Sequence, residues 1–480
     1  MLYFFLAIIV IVFLIGLVVI INTIRFKPND DYKVFKEEVL FDKDKNIKTL
    51  QQMIKCKTVS NIDNDVSVEK EFIKFEEVLF QNFPNVFNKC KYIKVSDKSM
   101  LLYLKGKTEC KNIVLMAHYD VVPADNSTWS ADPFSGYNDG TSIWGRGCID
   151  TKGTLNGILN ALENLLIDGY IPNNNLYLAF GGNEEINGDG ALKIVEYFKK
   201  NNIKIDMVLD EGGAVVEGVF PKVKEKCAVV GIAEKGMLNI RLEAVENGGH
   251  ASSPKRNGAI IRLAKSITKL EKKSFKYRLN YPAKEMFNTL GKYSSFFYRI
   301  IFSNLCLFNG VLNLICKKSG GEMNALVRTT CAFTQMEGSK AKNVLPDKAS
   351  IICNLRIICG ENTDSVFEYV KKVVRKYNIN VIRLDGMDPS DISKTNSEEW
   401  NALKNTILET WDNTIVTPYL MIACSDSKHY SGFCENVYRF SPMTLSNEER
   451  AMIHGIDERI PIDTLNKVTE FYIRLIKKIC

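Results

Sequence analysis

The sequence predicts an α/β fold: a helix-covered mixed sheet, interrupted in the chain by a smaller α+β domain and preceded by an apolar helix. Three observations predict it. Residues 2–24 carry no charge, and 2–21 are apolar throughout. From 101 onward, short apolar runs alternate with amphipathic helical patterns, as in a sheet covered by helices. Between 235 and 386 the order of patterns changes to β-α-β-β-α-β.

The N-terminal run comes first in the chain. Twenty helical residues span about 30 Å, the thickness of a bilayer core. A cleaved signal peptide would need a basic start, a shorter apolar core and a small-residue cleavage site, and none is present. Residues 2–24 are therefore expected to be a transmembrane anchor, which makes the membrane a partner. Arg25 and Lys27 follow the run, so the positive-inside rule leans to a cytoplasmic body. A charged linker over 25–48 leads into that body.

Residues 49–234 carry a helical pattern at 69–83 and three runs that read as buried strands: NIVLMA (112–117), NLYLAF (175–180) and DMVL (206–209). Between the first two lies a helix with Leu155, Ile158, Leu159, Leu162, Leu165 and Leu166 on one stripe, stopped at Gly169 and Pro172. Over 235–386 the strands are expected at 237–245, 326–335, 349–358 and 379–385, with helices at 258–271 and 363–377. That order is the split-βαβ, or ferredoxin-like, unit. A helical insertion at 283–317 interrupts it. Its apolar segment 300–316 reads as a buried or interface helix, not a second span, because Ser303, Asn304, Asn309 and Asn313 lie in it. Residues 387–480 return to the first style and close on an amphipathic helix at 465–479.

Composition narrows the function. A chain of 480 residues with 46% apolar and 25% charged residues is globular, not disordered. A net charge of +7 is too mild for a nucleic-acid partner. Thirteen scattered cysteines without a Cys-x-x-Cys pair read as free thiols in a reducing compartment; disulfides in an exported body are the alternative.

The chemistry sits at the strand ends, where open α/β sheets bind ligands. The first buried strand ends in His118 and Asp120, the second in Glu184 and Glu185, the third in Asp210 and Glu211. Asp150 stands just before the amphipathic helix. One acid at one strand end is a turn residue or a helix cap. Three strands in a row are a metal site: imidazole and carboxylate are ligands for borderline divalent ions. A carboxylate shared between two ions would make a two-metal centre. Glu184 and Glu185 divide naturally into one ligand and one general base, and Asp120 suits orienting the His118 ring.

These residues carry a resemblance. MAHYDVVPA, WGRGCID, FGGNEE, LDEGG, GGHASSP, NVLP and NLRI, in this order, resemble the co-catalytic zinc family of acetylornithine deacetylase, succinyl-diaminopimelate desuccinylase, aminoacylase and carboxypeptidase S. TTCAF, YRFSPM and MIHGIDE are most similar to carboxypeptidase S, Gly-X carboxypeptidase and N-fatty-acyl-amino-acid hydrolases. The resemblance implies two zinc ions, with cobalt or manganese as substitutes. It implies that Asp150 bridges them, that His118 and Asp210 complete one site, and that Glu185 and His454 complete the other. Glu184 would be the general base and Asp120 would orient His118. Glu211 would support the ligands from behind or be structural, and His429, without a metal role in the pattern, would start a helix or line the pocket wall. On the inserted domain, used as a lid and often for homodimerisation, His250 would polarise the carbonyl. Arg356 and Asn343 would grip a substrate carboxylate or the oxyanion. The substrate would be a peptide or an N-acyl amino acid, cleaved by an exopeptidase or by a deacylase. Carboxypeptidase S-like proteins commonly work in exported or lumenal spaces, against the lean from Arg25 and Lys27.

Overall fold

The computed structural model describes residues 1–28, 37–60, 66–108, 110–218, 223–273 and 275–480. Part of the expected linker, 29–36, lies outside the described residues. Helix α1 (Leu2–Arg25) is long and apolar enough to cross a membrane, a test that a signal sequence near an N-terminus also passes. Of its residues only Thr23 is buried.

The body opens with α2 (Lys43–Ile54), started by Asp42, whose side chain accepts from the Lys45 N–H at 2.9 Å. Helices α3 (Val66–Asn82) and α4 (Pro84–Lys89) lead to an edge hairpin, β1 (Lys91–Ser96) and β2 (Ser99–Leu104). Strand β3 (Asn112–His118), the short β4 (Ser142–Trp144), α5 (Lys152–Ile167), β5 (Asn175–Gly181), α6 (Gly190–Lys200), β6 (Met207–Val216) and β7 (Lys226–Glu234) follow. The three expected strands are β3, β5 and β6, and they lie side by side and parallel in the order β5-β3-β6. Their carboxyl ends therefore meet at one edge. Leu155, Ile158, Leu159 and Leu162 of α5 are fully buried, each contributing about 1.5–3 kcal/mol over an exposed position.

The inserted domain holds β8 (Gly236–Val245), β9 (Gly249–His250), α7 (Ala259–Lys272), α8 (Tyr281–Tyr293), α9 (Phe296–Ser303), α10 (Leu305–Ser319) and α11 (Gly321–Ala325). Then come β10 (Thr330–Glu337), β11 (Val344–Leu345), β12 (Lys348–Ile357), α12 (Thr363–Val374) and β13 (Asn380–Met387). Its antiparallel sheet runs β10-β12-β8-β13, the strand order of a split βαβ unit. Leu238, Ile240, Leu242, Leu355 and Val370 form its own core, separate from that of the large sheet.

Two expectations need correction here. The strand expected at 326–335 begins only at Thr330, because the chain leaves α11 through 326–329 with its carbonyls already claimed. The Asn280 side chain donates to Leu326 O at 2.9 Å, and the Lys235 ammonium donates to Arg328 O at 3.0 Å. The single helix expected over 300–316 is broken at Asn304 into α9 and α10, which meet at 119°. Asn304 adopts a non-helical backbone, and its side chain caps the Ile300 carbonyl at 3.0 Å.

The chain returns to the large sheet with α13 (Glu398–Thr410), β14 (Thr414–Met421), β15 (Val437–Leu445), α14 (Asn447–Met452), β16 (Arg459–Pro461) and α15 (Ile462–Ile479). The finished sheet is mixed and eight-stranded, β1-β2-β5-β3-β6-β15-β7-β14. One face packs on α2, α5 and α15; the other packs on α6 and the turn at Asp426–Tyr430.

Candidate metal centre

The juxtaposed ends of β5, β3 and β6 bring the acidic cluster together. His118, the last residue of β3, is 3% exposed. Its Nε2 donates to Asp150 Oδ1 at 2.8 Å, and its Nδ1 lies 3.0 Å from the Asp120 carbonyl and 3.4 Å from Asp120 Oδ1. Thr151 ties the Asp150 loop to the end of β3, accepting from His118 N at 3.0 Å and donating to His118 O at 2.9 Å. On the far side, His454 Nε2 lies 3.1 Å from Asp150 Oδ2 and 3.1 Å from Glu185 Oε2. Asp150 thus stands between two imidazoles, one oxygen toward each.

Asp120 does more than face His118. Its fully buried carboxylate accepts the backbone N–H groups of Glu184 at 3.2 Å and Glu185 at 3.1 Å, and the Ser60 hydroxyl. The turn that carries both glutamates is therefore hung on Asp120. Sequence reasoning saw the ring contact and missed this one.

Asp210 and Glu211 face different partners. Asp210 Oδ2 accepts from Ser427 N at 2.8 Å, whereas Glu211 Oε1 lies 3.5 Å from His118 Nε2. The cause is a bulge. Between β6 and β15 the register jumps from Asp210 opposite Arg439 to Gly213 opposite Phe440, so Glu211 and Gly212 are extruded from the ladder. Gly212 has φ +145°, and a Cβ there would sit 2.8 Å from Arg439 Cβ. Strand alternation alone could not reveal this, because Arg439, the residue opposite Asp210, lies far along the chain; the Gly-Gly pair after Glu211 was the available signal.

A second carboxylate that sequence reasoning missed fastens the site from behind. Glu458, fully buried, accepts from Arg146 Nη1 at 2.8 Å and from the backbone N–H groups of Gly147 at 3.1 Å, Ile149 at 2.9 Å and Asp150 at 3.3 Å. It belongs to the segment that carries His454, so one side chain joins the Asp150 loop to the His454 loop. Asp426 is a further buried carboxyl close to Glu184, held well above its usual range by burial and by that neighbour.

The electrostatics describe crowded negative charge. Burial, opposed by His118 but reinforced by Asp150, Asp120 and Glu185, pushes the Glu184 carboxyl up to about 7. Burial and then Asp150 hold Glu211 well above the usual carboxylate range. Asp150 and Glu185 hold the His454 ring up at about 10. Burial opposes charge on His118, yet Glu211, Asp120 and Asp150 together raise it well above its ordinary value. Such a cluster calls for cations. Two overlapping donor groups, His118 with Asp150 and Glu185, and His118 with Glu184 and Glu211, each gather their ligand atoms within 4.8 Å. Imidazole and carboxylate donors of this kind fit a two-zinc site.

The lid residues stand apart from this group. His250 and Asn343 are both exposed and meet on the small β9–β11 ladder, where Ala251 N donates to Asn343 O at 3.0 Å. The His250 Nδ1 accepts from Ser252 N at 3.2 Å. Arg356, on β12, donates from Nη1 to Cys424 Sγ at 3.2 Å, at the junction of lid and large sheet. His429 lies in the turn after Cys424, and burial pushes its ring down to about 4. All thirteen cysteines are free.

Known proteins carry the same pattern. Residues 114–478 match the model of peptidase family M20/M25/M40. The chain is 36% identical to the probable carboxypeptidase S-like 2 of Dictyostelium discoideum, over 96% of this chain and 91% of that one. It is 31% identical to the N-fatty-acyl-amino acid synthase/hydrolase PM20D1 of Xenopus tropicalis, over 97% and 94%. With carboxypeptidase S of Saccharomyces cerevisiae the identity is 26%, over 87% and 81%. The fold is similar to that of the metallo-carboxypeptidase Sso-CP2 from Sulfolobus solfataricus, with a TM-score of 0.66 at 20% identity, covering 90% of this chain and 98% of that one. With its strand-end donor cluster and this likeness along most of its length, the chain belongs to peptidase family M20/M25/M40 and is a zinc-dependent hydrolase of peptide or acyl-amide bonds.

Proposed function

We propose that the protein is a membrane-anchored exopeptidase, a carboxypeptidase or dipeptidase, that cleaves an amide beside a free carboxylate. The observation that carries the hydrolytic part is Asp150 set between His118 and His454, with Glu184 beside them. Asp150 would be the shared ligand, His118 would serve one ion, and Glu185 with His454 would serve the other. Glu211 takes the ligand place that the family resemblance offered to Asp210; its carboxylate beside His118 supports this reading. Two bound zinc ions supply polarisation of the scissile carbonyl and a more acidic attacking water.

The chain's own groups do the rest. Glu184 accepts the proton of the attacking water and returns it to the departing nitrogen. Asp120 fixes both the His118 ring and the Glu184 backbone. Arg356 pairs with the substrate carboxylate through its planar fork. His250 and Asn343, brought in by the lid, donate to the developing oxyanion. The lid spans 235–386, between catalytic stretches 49–234 and 387–480, and offers a surface for homodimerisation. Helix α1 is the anchor, and Arg25 and Lys27 at its end support a cytoplasmic body.

A second reading, hydrolysis of N-acyl amino acids, is favoured by the relatives named N-fatty-acyl-amino acid synthase/hydrolase, up to 32% identical. Turnover of dipeptides, Gly-X peptides and short- and long-chain N-acyl amino acids by the zinc-loaded chain decides between them. The first reading expects the peptides to be turned over fastest; fastest turnover of the N-acyl amino acids replaces it with the second. Glu184→Gln should keep its zinc and lose about 10²–10⁴-fold in kcat on any of these substrates. Near-parental turnover by that variant contradicts the assigned base.

A further inference from the structure

The bent pair α9–α10 presents an apolar ridge that none of the described residues covers. On α9 Phe296 is 53% exposed and Phe297 79%. On α10 Leu307, Val311 and Leu314 are 54%, 42% and 53% exposed at i, i+4 and i+7, which makes one stripe along the helix. The opposite side of α10 is packed, with Leu312 and Cys316 fully buried. The helix is therefore apolar on two faces and partnered on one.

The polar residues of this segment find partners within the protein, although Asn309 itself is exposed. Ser303 Oγ lies 3.1 Å from Thr23 Oγ1, and Asn304 Oδ1 accepts from Asn22 Nδ2 at 2.9 Å. Asn309 Oδ1 accepts from the Tyr277 hydroxyl at 2.6 Å, and Asn313 Oδ1 accepts from Arg328. The four side chains that argued against a second membrane span are thus paired within the protein. Two of these pairings join α9 directly to the last turn of α1, and Phe26 packs beneath Lys292. The ridge stands where the 24-residue apolar helix reaches the body. Charge points the same way: residues 281–319 contain Lys284, Lys292, Arg299, Lys317 and Lys318 against a single acid, Glu285. Arg25 and Lys27 add to the basic rim.

We propose that α9–α10 is a lipid-contacting ridge, lying in the headgroup–acyl boundary beside α1 and seating the catalytic body on the membrane surface. A 119° bend prevents the pair from crossing as one straight helix, while an apolar face with basic flanks suits an interfacial position. The inference rests on reading α1 as the membrane anchor. It also reaches the active site. Just beyond α10, Glu322 of α11 pairs with Arg450 of α14 at 2.6 Å, four residues before His454. One ion pair thus links the segment after α10 to the helix before His454.

The test is photolabelling of the full chain in nanodiscs of phosphatidylcholine and phosphatidylserine, doped with a diazirine-tailed phosphatidylcholine and mapped by mass spectrometry. Label is expected on α1 and also on Phe296, Phe297, Leu307, Val311 and Leu314. Label confined to α1 overturns the ridge and leaves the anchor standing. Absence of label from α1 overturns the anchor, and the ridge with it. Phe297→Asp combined with Leu314→Asp should shed the α9–α10 label, keep the α1 label and leave turnover of a short soluble substrate unchanged. Undiminished α9–α10 label in that variant also overturns the proposal.

Discussion

His454, a proposed ligand, is held protonated by Asp150 and Glu185, and burial raises the Glu184 carboxyl beside the site, which together give the site a signed pH dependence. In the folded, metal-free chain the Glu184 carboxyl titrates at about 7, against about 4.3 in an unfolded chain. A raised carboxyl contributes its full stability below about pH 4 and loses it as the pH climbs through 7. Zinc cancels the crowding of negative charge. The rise in Tm on adding zinc to chelator-treated protein should therefore grow between about pH 5 and pH 8; a rise independent of pH contradicts this. The neighbours Asp210 and Glu211 give a sharper test. Glu211→Gln should lower zinc content to about one ion per chain or less. Asp210→Asn should retain zinc and cost only the Ser427 contact, about 1–3 kcal/mol of stability. Metal analysis of the two variants giving the opposite order would return the ligand role to Asp210.

The elements explain why most of this site could be read from sequence and why part could not. Strands β3, β5 and β6 announce themselves as buried apolar runs, and His118, Glu184 and Glu185 follow from being at or just beyond their ends. The bulge that extrudes Glu211 depends on β15, a strand the apolar runs did not single out. Glu458 was invisible for a similar reason: its partners, Arg146 and the Asp150 loop, lie more than 300 residues earlier in the chain. Only folding brings them together. Because Glu458 holds that loop by several hydrogen bonds, Glu458→Gln should weaken zinc binding about 10–100-fold, as loss of a supporting group behind ligands does. It also leaves Arg146 buried without its counter-charge, at a cost of about 3–5 kcal/mol. Calorimetric zinc titration alongside thermal unfolding checks both. Unchanged zinc affinity would show that the loop holds its shape without this carboxylate. The broken helix at Asn304 is the other element-scale lesson, since an apolar run with four polar residues does not reveal which neighbours will take them.

For the whole molecule, the mixed eight-stranded sheet and the inserted four-stranded domain match the pattern read from periodicity. The edge hairpin β1–β2 and the pairing of β14 with β7 were not legible, because they rest on contacts between distant segments. The assembly gathers the metal-binding cluster at the meeting edge of three strands and joins to that sheet an inserted domain carrying His250, Asn343 and Arg356. A long apolar helix and an apolar ridge lie together at one end of that lid's insertion. If Arg356 grips the substrate as proposed, the zinc-loaded chain hydrolyses an amide only when a free carboxylate stands beside it. The most direct measurement is kcat/KM for an N-acyl amino acid or peptide against the same compound with its carboxylate converted to a carboxamide. Loss of a desolvated charge pair costs about 2–5 kcal/mol, so the free acid should be preferred by at least about 30-fold, with all turnover lost on chelation and restored by zinc. Equal turnover of the free and blocked substrates, or turnover indifferent to chelation, would contradict it.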